Sequence, residues 1–378
     1  MRVAFFTEAY EPFINGAVIL AKSYRRQLEA MGHEVIVFTP EYPGFRDADD
    51  YVVRLPSVVW SKKGYPCLQP FPGIESEFRR WRFDLIHSHH PFTMGLAAER
   101  MAERHGIPLV YTFHTLLPAY SSYVPLPGPL ARRMLVYIIR RHCAHARCVT
   151  VTNSLMRTWL LDHGVQSPVW IVPPVVSAVR AVPGTRESIR ARYGIAPDTS
   201  LLLYVGRLTQ EKNLDLLLRA VARVKANPDW RLMVVGSGSC KAHLASLSSR
   251  LRIADRVLFA GEVGHDLVGG YYAAADVFVF PSLSETLGLV LLEAMSAGLP
   301  CVAVGVNGPL AVVQDGVTGL LTRPDETAFS KAVESLLTDR DMRRSLGNAA
   351  RKLLREYSPA NVGAKLMEAY SQASLGRA

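Results

Sequence analysis

From its second residue the chain alternates short apolar, strand-like runs with helical patterns, and about halfway along it starts that alternation again. Arg2 to Thr7 reads as a strand, Ala17 to Met31 as a helix closed by Gly32, and Glu34 to Thr39 as the next strand. Further strands are expected at Asp84 to Ser88, Leu109 to Phe113, Cys148 to Thr152 and Val169 to Val172. A second series is expected at Leu201 to Val205, Leu232 to Val235, Val257 to Phe259, Val277 to Phe280 and Cys301 to Val304. Strands separated by helices need crossover connections, so each series predicts a mostly parallel sheet covered on both faces. Two series in 378 residues predict two doubly wound α/β domains. The crossing falls near Pro173 to Gly184, which has three prolines and no period; Tyr65 to Gly73 reads as a loop. The expected division is 1–174, a linker at 175–196, 197–358, and a last helix within 359–378 that packs back on the first domain.

A composition of 49% hydrophobic and 20% charged residues fits a globular protein and excludes a disordered or membrane-embedded one. The five cysteines form no CxxC pair, which argues against a disulfide framework or zinc site and fits a reducing cytoplasm. The opening MRVAFFTEAYEPF has one basic residue and too short an apolar run for an export signal, so a cytoplasmic chain is expected. A formal charge of +10 favours anionic partners. That charge is uneven: Arg104 to Leu161 holds no acid, while Arg104, Arg132, Arg133, Arg140, Arg141, Arg147 and Arg157 all lie inside it. A helix expected at Pro129 to Arg141 would set Arg132, Arg133, Arg140 and Arg141 on one half of the wheel, opposite Met134, Leu135, Ile138 and Ile139. Such a helix suits either an anionic lipid surface or an ordinary solvated face.

Ligands of doubly wound sheets sit beyond the carboxyl ends of the strands. After Leu201 to Val205 comes Gly206-Arg207-Leu208-Thr209-Gln210-Glu211-Lys212-Asn213. Glycine permits close backbone approach, an Arg fork matches phosphate oxygens, and Lys212 at a helix entry adds a point charge. After Val277 to Phe280 comes Pro281-Ser282-Leu283-Ser284-Glu285-Thr286-Leu287-Gly288-Leu289, with helical period from about Gly288, so Glu285 falls in a loop and Glu293 in a helix. The free amides of Leu287, Gly288 and Leu289 would form an anion site, Glu285 would accept from sugar hydroxyls, and Glu293 would take a ribose diol. Each carboxylate alone reads equally well as an ordinary cap or surface acid. A hydrolytic pair is excluded, because eight residues of helical rise is roughly 12 Å, beyond the ~5–9.5 Å of a glycosidase.

His114 ends a strand and suits either a hydrogen bond to a donor hydroxyl or an ordinary packed position, while His87, His89 and His90 lack the partner cluster of a metal site and suit an acceptor-side wall. The loop Tyr10 to Gly16 offers backbone amides to phosphate but is no dinucleotide fingerprint, and Gly236-Ser237-Gly238 is too short for one, which disfavours an NAD enzyme.

Taken together, GRLTQEKN, ETLGLVLLE followed by AMSAGLP, YTFHT and DGVTGLL resemble family 4 of the retaining glycosyltransferases over nearly the whole chain. The resemblance implies the GT-B fold: two Rossmann-like, doubly wound domains facing across a cleft. It also implies that Arg207 and Lys212 hold the donor diphosphate, with amides at Gly16 and from Leu287 to Leu289, that Glu285 and His114 hold the sugar, and that Glu293 holds the ribose. A metal-independent hexosyltransferase is implied, with a nucleotide-sugar, UDP-glucose by preference, and no cofactor, metal or nucleic acid. YTFHTLLPAYSSYVP and SETLGLV are most similar to the glycolipid branch, the diacylglycerol glucosyltransferases and sulfoquinovosyl-type enzymes. That similarity implies a lipid acceptor and peripheral attachment to the inner membrane face. GDP-mannose enzymes acting on a phosphatidylinositol-type or soluble acceptor share much of this text, and a nucleotide-sugar-binding module without turnover is the alternative of another class. Two departures stand out: VPPVV replaces the usual Asn-Gly-Val/Ile-Asp turn, and Asn307-Gly308-Pro309-Leu310-Ala311 replaces Gly-Gly-x-Pro-Glu.

Overall fold

The structure is a computed structural model and describes residues 1–13, 15–47, 49–59, 66–68, 73–118, 126–176, 185–226, 229–285 and 288–375. The chain divides into two units, Met1–Val175 with Pro359–Ala378, and Val176–Ser358. Strands are β1 (Arg2–Phe6), β2 (Glu34–Pro40), β3 (Val52–Leu55), β4 (Ser57–Val59), β5 (Pro66–Leu68), β6 (Leu85–Ser88), β7 (Leu109–Phe113), β8 (Cys148–Val151) and β9 (Val169–Ile171) in the first unit. The second holds β10 (Ser200–Val205), β11 (Trp230–Val235), β12 (Val257–Gly261), β13 (Val277–Phe280), β14 (Cys301–Val304) and β15 (Gly319–Thr322).

In the first unit the sheet order is β3-β2-β1-β6-β7-β8-β9, with every pair parallel. Alternate residues of β1 enter different cores: Ala4 and Phe6 pack with Ile36, Phe38 and Ile86, while Val3 and Phe5 pack with Val35, Val37 and Leu85. A strand buried on both faces has no polar side to show, which is why these runs are continuously apolar. The helix Pro359–Leu375 belongs to this unit, and its Val362, Leu366, Ala369 and Tyr370 lie in the second of those cores with Leu20, Tyr24 and Leu28 of the helix Gly16–Ala30. Gly363 lets the two helices approach: a Cβ there would stand 2.7 Å from Met31 Sδ. Pro66–Leu68, inside the stretch read as a loop, pairs antiparallel with β4. Strands β3, β4, β5 and β15 are all short and escape a periodicity reading.

In the second unit the order is β12-β11-β10-β13-β14-β15, again parallel throughout. The segment read as a linker at 175–196 contains a helix, Thr185–Arg192, that is part of this unit. Its polar side chains hold it there. Arg186 donates to the carbonyls of Ala273, Ala274 and Ala275 and to Asp276, and buried Arg190 donates to Ala274, Ala196 and Thr199. Asp276 in turn accepts from the Leu201 amide at 2.8 Å. Cations at the last carbonyls of the helix His265–Ala274 also meet the negative end of its dipole. Among the described residues no helix is long and apolar enough to cross a membrane.

Candidate functional site

In the second unit β10 is followed by Gly206, whose φ of +153° suits glycine. The loop after it is braced by its neighbour. Leu208 N donates to Ser237 O at 2.8 Å and Cys240 N to Leu208 O at 2.9 Å. A Cβ on Gly236 would meet Gly206 O at 2.0 Å, and one on Gly238 would meet Leu208 O at 2.4 Å. The Gly236-Ser237-Gly238 turn, too short for a dinucleotide fingerprint, thus fixes the backbone that carries Arg207. Tyr204, buried under this loop, donates its hydroxyl to Arg207 O at 3.0 Å.

The Arg207 side chain is 72% exposed, with Glu211 Oε1 at 3.5 Å. Lys212 and Glu285 are instead only 12% and 20% exposed, and Lys212 Nζ donates to Glu285 Oε1. The loops after β10 and β13 therefore meet through this ion pair. Asn213 strengthens the junction: at φ 56° it turns the chain into the helix Leu214–Val221, and its side chain donates to Pro281 O at 3.4 Å. Asparagine is among the few residues that adopt this conformation readily.

Glu285 is fixed from two further sides, by the Ser282 hydroxyl at 3.4 Å and by its own carbonyl, which accepts from Gly308 N at 2.8 Å. Asn307, standing where a glycine is usual, has φ 49° and ψ −119°, so the glycine-like turn is kept; its side chain donates to Leu283 O at 3.1 Å. The helix Leu289–Ser296 is entered through Gly288 at φ 77°, as its sequence period implied, and carries Glu293. Buried Tyr272 donates to Glu293 Oε2 at 2.7 Å. Leu287 lies outside the described residues, whereas Gly288 and Leu289 stand at the helix entry.

The first unit presents a different chemistry. His114 follows β7, and its Nε2 lies 2.9 Å from His89 Nδ1. His89 stacks on His87 at 4.3 Å between ring centroids, and His87 bonds the hydroxyls of Tyr370 at 2.7 Å and Thr112 at 2.5 Å. Burial, with smaller contributions from neighbouring imidazoles, holds His87, His89 and His114 well below the usual histidine range, so they are neutral near pH 7. Buried His89 Nε2 and His114 Nδ1 have no hydrogen-bond partner among the described residues. Nor do three His, Cys, Asp or Glu side chains converge there as a metal site requires. Gly16 opens the helix Gly16–Ala30, capped by Asn15, and a Cβ on it would meet nothing within 4 Å.

The basic helix spans Gly128–His145, longer at both ends than its period suggested. Leu135 and Ile139 are buried, while Arg132, Arg133 and Arg140 are exposed. Arg141 differs: its guanidinium lies 2.9 Å from buried Glu99, which also bonds His142 at 2.7 Å. The acid-free span is thus answered in part from the preceding helix. Leu130 and Tyr137, 52% and 66% exposed, sit on the same face as Arg133 and Arg140 at about 100° per residue.

Two doubly wound α/β units with chemistry at the carboxyl strand ends define the GT-B class of glycosyltransferase. Residues 14–180 match Glycosyltransferase Family 4, and residues 185–353 match Glycosyl transferases group 1. The chain is 27% identical to the alpha-monoglucosyldiacylglycerol synthase of Streptococcus pneumoniae, over 99% of this chain and 86% of that protein. It is 35% identical to a D-inositol 3-phosphate glycosyltransferase of Stackebrandtia nassauensis over 78% and 70%. With the sulfoquinovosyl transferase of Arabidopsis thaliana it shares 32% over 94% and 70%. The crystal structure of Anabaena Alr3699/HepE in complex with UDP-glucose superimposes with a TM-score of 0.75 at 19% identity, covering 98% of this chain and 99% of that one. The chain belongs to family 4 of the glycosyltransferases and is a hexosyltransferase.

Proposed function

We propose that this enzyme transfers glucose from UDP-glucose, with retention, to a lipid hydroxyl such as that of diacylglycerol on an anionic inner membrane face. The observation that carries the donor half is the Lys212–Glu285 pair, held by two loops at the carboxyl strand ends and flanked by exposed Arg207. The cations are assigned to the diphosphate, Glu285 and His114 to the sugar, Glu293 to the ribose, and the amides of Gly16, Leu287, Gly288 and Leu289 to phosphate oxygens. In the proposed step the bond from the anomeric carbon to phosphate breaks as the acceptor oxygen bonds the same face, and the departing phosphate takes the acceptor's proton. Arg207 and Lys212 stabilise the charge left on that phosphate, a contribution that grows toward the transition state. Neutral His114 suits a hydroxyl rather than a phosphate. No metal enters this mechanism.

The lipid half rests on relatives and on one surface. The Streptococcus relative is named for a glucosyldiacylglycerol and matches almost the whole chain. The helix Gly128–His145 sets exposed Leu130 and Tyr137 among arginines, the mixture that enters a headgroup layer. A second reading, a phosphorylated soluble acceptor, is supported by the D-inositol 3-phosphate glycosyltransferases. A panel of UDP- and GDP-sugars, each with lipid extract or inositol phosphate, separates the two by mass spectrometry of the product. Product only with inositol phosphate would overturn the lipid assignment, and nucleotide binding without any product would leave a binding module.

A further inference from the structure

We propose that Tyr272 is a positioning residue that sets the Glu293 carboxylate for the donor's ribose diol, an inference that rests on the ribose role given to Glu293 above. Tyr272 stands on the helix His265–Ala274 and is fully buried, its ring 5.8 Å from that of Phe278 in the core of the second unit. Its hydroxyl has one hydrogen and two acceptors near it, Glu293 Oε2 at 2.7 Å and Val290 O at 3.5 Å. The hydrogen goes to the closer, charged oxygen. Burial and the adjacent carboxylate push the phenol well above its ordinary range, so it stays protonated and donates at any working pH.

A glutamate on a helix has three side-chain torsions, and unaided it would sweep an arc. Recognition of a vicinal diol needs both carboxylate oxygens at fixed positions at once. A core tyrosine has two torsions, both locked by packing here, so it serves as a rigid stop for one oxygen. A carboxylate offers about four lone-pair sites, so the bond from Tyr272 does not exhaust its capacity to accept from hydroxyls. Of its two acceptors the hydroxyl is closer to the side chain assigned to ligand than to the Val290 carbonyl.

The test compares UDP and GDP with their 2′-deoxy counterparts by calorimetry on the full-length enzyme, Tyr272→Phe and Glu293→Ala. Phe keeps the ring volume, and thermal melting checks the fold. For the nucleotide that binds, the enzyme should prefer ribose; Tyr272→Phe should weaken that nucleotide several-fold while its 2′-deoxy form changes little, so the ratio shrinks. In the Glu293→Ala background, Tyr272→Phe should leave the ratio where it is. A ratio unmoved by Tyr272→Phe but collapsed by Glu293→Ala overturns the positioning role and spares the ribose assignment. A ratio unmoved by Glu293→Ala overturns both. Should Tyr272→Phe fail to fold, Glu293→Asp keeps the charge but retreats from the phenol, and undiminished ribose preference there overturns the proposal.

Discussion

The polar ends of the two sheets are built on opposite principles. At the ends of β6 and β7 in the first unit, imidazoles stack, bond one another and shed their charge by burial. After β10 and β13 in the second, a guanidinium stays open to solvent and an ammonium is held against a carboxylate on glycine-braced loops. The first arrangement suits a neutral partner, such as a hydroxyl. The second suits a partner carrying full charges and hydroxyls together, such as a sugar diphosphate. A neutral surface is insensitive to salt, whereas a charged one exerts its effect only while its geometry is held.

The largest expected effect tests that division. Lys212→Ala and Glu285→Ala should each lower transfer by about 10³-fold or more, since the first removes a cation whose contact strengthens as the phosphate departs and the second removes the sugar contact together with the carboxylate that holds Lys212. Both should still fold, as thermal melting will show, because neither side chain belongs to the apolar core of the unit. Near-parental turnover in either variant would break the contrast between the units.

Next is the brace. Gly236→Ala places a methyl against Gly206 O at a φ of +134°, so both crowding and backbone strain oppose it. A loss of roughly 3 kcal/mol or more in denaturant unfolding is expected. Activity should fall in the protein that remains folded, because the Arg207 loop moves. Stability near that of the parent would show that the two loops are not locked.

The first unit makes a pH prediction. His87, His89 and His114 titrate lower in the folded chain than unfolded, so the unfolded state binds more protons and stability falls as pH drops below about 6.5. Each group contributes about 1 kcal/mol per pH unit in that window. Glu8 acts the other way. Burial raises it from 4.5 to about 6, so the folded state takes up the extra proton and gains stability as pH falls through that range. Glu8→Gln should therefore steepen the acid loss between pH 6 and 4.5 in urea titrations, and an unchanged slope would mean that burial does not raise Glu8, whereas stability that holds constant below pH 6.5 would deny the histidines their neutral state.

How much of this was legible beforehand follows from the same physics. Alternation announced both sheets because strands buried on two faces must be apolar throughout, and Glu285 and Glu293 could be placed on loop and helix from period alone. The segment at 185–192 read as linker because Thr185–Arg192 is charged, with only Arg190 buried. Nothing local says that Arg186 and Arg190 reach carbonyls about 85 residues away. Tyr272 and Asn213 carry no local signal either, and the Gly236–Gly238 turn reads only as too short for a dinucleotide fingerprint, for a similar reason: their roles are long-range contacts to side chains and backbone, which spacing does not encode. A glycine pair straight after a strand end was the available signal.

The smallest effect separates two adjacent arginines on the helix Gly128–His145. Arg140 is exposed on the face that carries Leu130 and Tyr137, while Arg141 turns its guanidinium to buried Glu99. A basic side chain near an anionic bilayer contributes about 1 kcal/mol, so Arg140→Gln should weaken binding to phosphatidylglycerol vesicles roughly five-fold, and added salt should shrink the difference. Arg141→Gln should change vesicle binding less and lower the melting temperature more, because it removes a cation from a buried carboxylate and leaves it bonded to His142. Equal vesicle effects would mean that the helix is sensed only as a diffuse positive field. No effect from Arg140→Gln, alone or with Arg132 and Arg133 also made neutral, would make the face a solvated surface and remove the structural support for a membrane acceptor, leaving the donor half of the site untouched.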